Sequence, residues 1–320
     1  MHEPLSGTVT HSAAHPVPHS VAHEVIDFGG WPGCIRLSNG EIELVATTAV
    51  GPRIIRLGFV GGQNLFHNYP TTLGRTGDQK WNNYGGHRLW HAPEVVPRTY
   101  APDNGPVEHG WDDTTLILRN AEGPNGLEKE MRVTLSPTSP RVEVAHRIVN
   151  RNPWAIELAA WTLSVMAPGG RAIYPQEDYR AHPDCLVPAR PVVLWHFTDM
   201  SDPRWTWGRK YIQLRQDPTA TTKQKVGLLN SKGWAAYLLA GDALVKRYPY
   251  QPGATYADMG CTTATYTDAD MLEVETLSPL TRLEPGAHLD HVESWLLARV
   301  DCGPSEADIH TKILPLVARL

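Results

Sequence analysis

From residue 34 onward, apolar and polar residues alternate with a period of two, and turn residues cut the alternation at short intervals. CIRLS (34–38) and EIELVAT (41–47) flank Asn39-Gly40, a dipeptide suited to a tight hairpin turn. RIIRLGFV follows Gly51-Pro52. TTLILR, EKEMRVTLS, RVEVAHRIVN and AIELAAWTLSVM continue the habit between clusters such as SPTSP and NRNP. The second half repeats it in PVVLWHF, YIQLR, WAAYLLAG, ALVKRYPY, CTTATYT, MLEVETL and HVESWLLARV. Residues two apart on a strand share a face, so the pattern predicts many half-buried strands. No regular strand–helix alternation accompanies them, and 27 glycines and 27 prolines suit a turn-rich chain. The expected fold is all-β: one large antiparallel β-sandwich. One short helix is expected at the C-terminus. Ser305 caps EADIHTKILPLVARL, Asp308 takes the reciprocal capping-box position, and Pro315 kinks or shortens the helix.

The first residues do not share this pattern. His11, His15, His19 and His23 recur every four positions, but Pro16 and Pro18 break the helix that would gather them. Residues 1–24 are expected to be a disordered, His-rich lead without a metal, and 25–320 a single domain. A net charge of −5 with no basic run leaves no nucleic-acid footprint. No run of about 18 apolar residues suggests a membrane helix, and the N-terminus lacks a secretory pattern. Cys34, Cys185, Cys261 and Cys302 form no C-x-x-C pair, which fits reduced thiols in the cytoplasm and no zinc cluster. Phosphate loops, serine elbows and dinucleotide fingerprints are absent, so no cofactor is expected. Eleven tryptophans against four phenylalanines change the picture most. Indoles offer flat apolar faces on which sugar C–H groups pack.

GGHRLWHAPE (85–94) gathers two glycines, His87, Arg88, Trp90, His91 and Glu94, and Pro93 argues against a helix there. With DQKWNNYGG just upstream it reads as a ligand-facing loop. The glycines turn the backbone into a cleft, Arg88 offers a fork of donors, and Trp90 offers a stacking face. Flat apolar surface plus a few placed polar groups suits a polyhydroxylated ligand. In MLEVETL, Glu273 and Glu275 share a strand face; Glu273 reads as solvent-facing and Glu275 as functional. In HVESW, His291, Glu293 and Trp295 also share a face, and His288 lies near them. His109 in VEHGWDD falls in an expected turn, and YPQEDYR puts Glu177 and Asp178 on a loop.

GGHRLWHAPE, IELAAWTLSVMAPGG, MLEVETLSPLTRLEPG and HVESWLL, in this order, resemble the galactose mutarotase-like superfamily over roughly residues 30–300. The likeness is to an uncharacterised branch rather than to the aldose 1-epimerases themselves. It implies a β-supersandwich with a sugar-binding concave face and acid–base chemistry at the anomeric centre. It implies Glu275, in VET, as the general base, and Arg88 and Asp258 as sugar contacts. The family's mid-chain histidine has no counterpart, because Trp161 and Thr162 stand in its place. Another imidazole, His291 or His87 before His91 or His109, is then expected to supply the acid. The ligand is a mono- or oligosaccharide, held by Arg88, Trp90, His91, Glu94, Asp258, Trp161 and His109. The other readings are a non-catalytic carbohydrate-binding protein, or a glycoside hydrolase or lyase on the same scaffold, for which two facing carboxylates are required.

Overall fold

The computed structural model describes residues 20–121 and 123–320, and its strands form two antiparallel sheets. The first sheet runs β1 (Ala22–Phe28), β2 (Trp31–Ser38), β3 (Ile42–Thr47), β4 (Arg53–Phe59), β5 (Gly86–Ala92), β10 (Ile156–Met166), β19 (Leu272–Leu277), β18 (Thr263–Thr267), β15 (Gln224–Leu228) and β12 (Val192–Leu194), with β20 (Thr281–Leu283) attached to β10. The second runs β13 (Trp205–Trp207), β14 (Tyr211–Arg215), β11 (Arg171–Pro175), β16 (Trp234–Leu239), β17 (Asp242–Arg247), β21 (His288–Arg299), β9 (Arg141–Asn150), β8 (Leu127–Leu135), β7 (Thr115–Arg119) and β6 (Glu108–Trp111).

The inward faces of both sheets meet in one apolar layer, where Leu44 and Ile54 of the first join Leu116, Met131, Val144, Leu244 and Trp295 of the second. The period-two pattern produces this layer directly, since one residue in two turns inward. Each such leucine or isoleucine contributes about 1.5–3 kcal/mol by leaving water. The outer face of the second sheet is covered by α2 (Glu306–Lys312) and α3 (Leu314–Val317), through Ile309, Ile313 and Val317 packed on Ile173, Trp234, Val245 and Leu296. The outer face of the first sheet carries another apolar group, including Trp90, Trp161, Leu163 and Leu277.

Asn39-Gly40 links β2 to β3 as expected, with Gly40 at φ 87°. Ser305 caps α2 by accepting from the Asp308 N–H at 3.1 Å, but the Asp308 carboxylate bonds the Gly303 N–H instead of closing the reciprocal box. The chain leaves the helix at Ile313 and resumes with Pro315 inside α3.

Three expectations need correction. The lead does not extend to residue 24, because β1 begins at Ala22, where pairing with β2 outweighs local polarity. His23 lies on that strand and stacks on Trp111 at 4.9 Å; His11, His15 and His19 lie outside the described residues. VEHGWDD contains the strand β6, paired with β7. Residues 85–94 are mostly the strand β5 rather than a loop. Gly85 and Gly86, at φ 78° and 70°, are required by packing: a Cβ on them would sit 2.0 Å from the His67 carbonyl oxygen and 2.3 Å from that of Ile54.

Candidate functional site

Being a strand, β5 sends alternate residues to opposite sides of the first sheet. Arg88 and Trp90 face outward, while His87, Leu89 and His91 face the other sheet. Backbone pairing carries the outward row across neighbouring strands. Trp90 lies opposite Trp161, Arg88 opposite Leu163, and Leu163 opposite Glu275. Glu273 lies opposite Tyr266, which lies opposite Lys225. Connecting segments add walls to a cleft of about 410 Å³, among them Tyr69, Trp81, Glu94, Tyr100 and Trp195. A larger hollow of about 890 Å³ beside Phe59, Arg299 and Arg319 has Glu41 as its only lining carboxylate and no tryptophan, so the smaller cleft is the candidate site.

Aromatic rings dominate one side of the cleft. Trp81, Trp90, Tyr100 and Trp161 form contiguous tilted and edge-to-face pairs with centroids 5.0–5.5 Å apart. The Arg88 guanidinium lies 4.6 Å from the Trp90 ring centre, donating to Glu273 Oε1 and to Asn83 Oδ1, each at 3.1 Å. Glu273 is therefore a buried wall residue held by Arg88, not the solvent-facing carboxylate expected.

Glu275 lies beneath the cleft floor, fully buried. Its Oε2 accepts from the Trp161 indole N–H at 2.8 Å, and its Oε1 has no partner in the protein. Burial pushes its carboxyl up to about 7; Lys225 opposes that rise, and the Glu273 charge adds to it. The Lys225 ammonium stands 3.8 Å from Oε2, between the faces of Trp161 and Trp195 at 4.9 and 4.7 Å. Burial alone would lower the Lys225 pKa, but Glu275 and Glu273 outweigh it and hold it above its ordinary value. Arg88 Nε and the indole N–H groups of Trp81 and Trp90 are also buried without partners. Buried polar atoms are normally satisfied, and four that are not lie in the walls of this cleft and just beneath it.

The expected imidazoles are not there. His87 and His291 are fully buried on the opposite side of the sheet from Glu275, because alternation places them inward once Arg88 and Glu275 point outward. There they join a closed network. His146 Nδ1–H donates to the His291 carbonyl oxygen at 3.0 Å, so its Nε2 accepts from His87 Nε2–H at 2.7 Å. His87 Nδ1 then accepts from the Ser164 hydroxyl, which accepts from Lys246 at 2.9 Å. Lys246 also pairs with Glu293 Oε2 at 2.9 Å. Glu293 accepts further from Thr162, Thr276 and Trp295, and Thr276 accepts from His291 Nε2–H. Burial holds His146 down at about 4 and His291 at about 3. Despite burial, Lys246 and the histidines keep Glu293 well below the usual carboxylate range. Among the described residues, His87, His146 and Glu293 have the convergence a metal site needs, with ligand atoms within 4.8 Å of one another. Lys246 already supplies the positive charge there, and each of these atoms already has a protein partner.

His91 also faces inward, fully buried and with both ring nitrogens unpartnered; burial first, then Lys129 and Arg98, lower it to about 3. His109 is exposed on β6, at the edge of the other sheet. Of the remaining candidates, Trp90, Trp161 and Glu94 line the cleft, with Glu94 accepting from the Tyr100 hydroxyl. Asp258 sits in the single turn α1 (Ala257–Gly260), near enough to Lys225 and Glu94 for their charges to act on it, and burial raises its carboxyl. Sequence reading missed Lys225, Tyr69 and Trp195. The signal for the first was present, since TKQKV places Lys223 and Lys225 on one strand face.

No protein-family profile matches the chain, and no curated protein matches it. Solved structures do. An aldose 1-epimerase-like protein from Klebsiella pneumoniae aligns at 11% identity and a TM-score of 0.59, covering 93% of this chain and 87% of its own. The Slr1438 protein from Synechocystis sp. PCC 6803 aligns at 12% and 0.56, covering 86% and 99%. A galactose mutarotase-like protein from Lactobacillus casei aligns at 11% and 0.51, covering 83% and 100%.

The chain has the fold of the galactose mutarotase-like proteins, and no helix among its described residues is long and apolar enough to cross a membrane.

Proposed function

We propose that the cleft binds a carbohydrate and catalyses acid–base chemistry at its anomeric centre, as an epimerase in which Glu275 is the general base. One observation carries this reading. A carboxylate raised to about 7, with one oxygen unpartnered, lies buried just beneath an aromatic cleft whose wall residues carry three unpartnered N–H donors, and the fold is that of mutarotase-like proteins. A base works best when its pKa lies near the operating pH. Arg88 and Glu273 hold ring hydroxyls, and Trp90 and Trp161 pack on the apolar face of the sugar. Glu275 takes the proton of the anomeric hydroxyl, the bond from C1 to the ring oxygen breaks, and rotation about C1–C2 precedes closure on either face. The ligand is a mono- or oligosaccharide and no cofactor takes part. The four free cysteines support a reducing compartment, the cytoplasm in this proposal.

The test is proton NMR of anomer exchange with a panel of hexoses, pentoses, deoxysugars, uronates and disaccharides. Exchange accelerated for one sugar class, and lost in Glu275→Gln, is the expected result. A second reading, sugar binding without turnover, draws on the absence of an imidazole facing the cleft among the described residues. It requires that ligand stabilise the protein while exchange stays at the uncatalysed rate, with Glu275→Gln changing affinity only modestly.

A further inference from the structure

An epimerase needs a proton donor at the ring oxygen, and the histidines expected for that role face the wrong side of the sheet. The geometry points to Lys225 as the donor, an inference that rests on the epimerase reading of the same cleft. Four observations converge on it. Lys225 is 7% exposed, and it lines the cleft from β15. Its ammonium is the cation within 4.0 Å of Glu275, and at 3.8 Å it is too far for a direct hydrogen bond to that carboxylate. It rests between two indole faces, which supply attraction but accept no proton. Glu275 Oε1, an acceptor without a partner, belongs to the same pair. Donor and acceptor thus stand side by side, each with bonding capacity left for a ligand.

Three other cleft groups serve less well. Arg88 does not release a proton in proteins, and its fork is engaged by Glu273 and Asn83. The Tyr100 hydroxyl is committed to Glu94, and that of Tyr266 reaches Asp268 at 3.3 Å.

The spacing suits the reaction. The anomeric hydroxyl and the ring oxygen are borne by one carbon, so their acid and base must be neighbours. Two groups 3.8 Å apart can each reach one of these oxygens at about 2.6–3.2 Å. On opening, Glu275 takes the proton of the anomeric hydroxyl, and that O–H pair becomes the new C=O bond. The C1–ring-oxygen pair passes to the ring oxygen, which takes a proton from the Lys225 ammonium. An ammonium is a stronger acid than the alcohol it forms, so the transfer runs downhill. On closure the neutral amine recovers the proton as the hydroxyl attacks C1, and Glu275 returns its own to the carbonyl oxygen. No proton or electron is left over.

The experiment measures anomer exchange and sugar affinity together in the full-length wild type, Lys225→Met, Lys225→Arg, Lys225→Ala and Glu275→Gln, with thermal melting of each as a check on folding. Lys225→Met fills the same space without a proton, and Lys225→Arg keeps the charge but does not give its proton up. Both are expected to bind within a few-fold of wild type and to exchange about 10²-fold more slowly or worse. Added alkylammonium ions should restore exchange to Lys225→Ala in a graded way that follows their pKa, which a structural role would not produce. Lys225→Arg exchanging like wild type, or Lys225→Met doing so while Glu275→Gln is dead, would overturn Lys225 as donor and leave the epimerase reading standing. Wild type that accelerates no sugar in the panel would overturn that reading, and this inference with it.

Discussion

At the scale of single residues, the site turns on how Glu275 is held. Its carboxylate has one neutral donor, the Trp161 N–H, and one nearby cation. Trp161→Phe removes the donor and keeps the ring face. Because that bond favours the charged form, its loss drives the Glu275 pKa further up, by about one unit for a bond worth roughly 1.5 kcal/mol. The exchange rate of the wild type should rise with pH through about 7, as Glu275 becomes a base, and then level off. In Trp161→Phe the rising limb should lie about one unit higher, with the plateau less affected. A pH–rate profile reads this directly, and an unmoved limb would mean that another group sets it. Arg88→Ala removes the fork on Glu273 and the cation over Trp90, and should weaken sugar binding about tenfold or more. Isothermal titration would show it. At this scale the sequence was only partly legible. Glu275 was named because its surroundings resemble a known family, and Arg88 first for its fork of donors in a segment dense in polar and aromatic residues. Lys225 was not, since a lysine on a strand ordinarily reads as solvent-facing, and its spacing from Lys223 does not report that Trp161 and Trp195 close over it.

At the scale of elements, alternation explains both what sequence reading found and what it confused. Reading 85–94 as a loop put Arg88, His87 and His91 into one cleft; pairing with β4 and β10 makes it a strand and separates them. The result is a sheet that works on both faces. Arg88 and Trp161 line the cleft and Glu275 lies on the same side of the sheet beneath it, while their immediate neighbours His87, Thr162 and Thr276 enter the buried network behind it. That network ties β5, β10 and β19 to β9, β17 and β21, so it holds the strands that carry the site. Its centre is the Lys246–Glu293 pair, both fully buried. Glu293→Gln leaves an ammonium buried without its counter-charge and should cost about 3–5 kcal/mol of stability. Adding Lys246→Met should restore a large part of that loss, because the stranded charge goes too. Urea denaturation of the single and double variants completes the cycle, and additive losses would show that the pair is not coupled. Sequence could place His291, Glu293 and Trp295 on one face, but not say what that face meets, because β21 finds β9 from about 140 residues away.

At the scale of the whole molecule, the sandwich was legible because a period of two recurs from end to end. The order of strands was not, because β5 pairs with β10 across a long excursion that carries no local mark. The completed sandwich has a consequence for acid stability that no single strand carries. Four histidines, His87, His91, His146 and His291, are buried and held below 6.5 chiefly by desolvation. Above pH 6.5 they are neutral in both states and cost nothing. As pH falls from 6.5 towards 4, the unfolded chain takes up these protons and the native protein does not, so stability is lost. Half-buried His67, lowered by burial as well, adds in the same direction. Glu275 works against them: raised to about 7, it is protonated in the native protein before it is in the unfolded chain. The net difference between pH 6 and 5 is about three protons, or about 4 kcal/mol per pH unit at roughly 1.4 kcal/mol for each. Urea midpoints should therefore collapse across this one unit. His91→Leu, which breaks no hydrogen bond because both ring nitrogens are unpartnered, should lower the slope by about one proton. A slope near zero would show that the histidines accept protons inside the folded sandwich. The layer between the sheets would then be open to water, and the network could not hold β5, β10 and β19 in the register that builds the cleft.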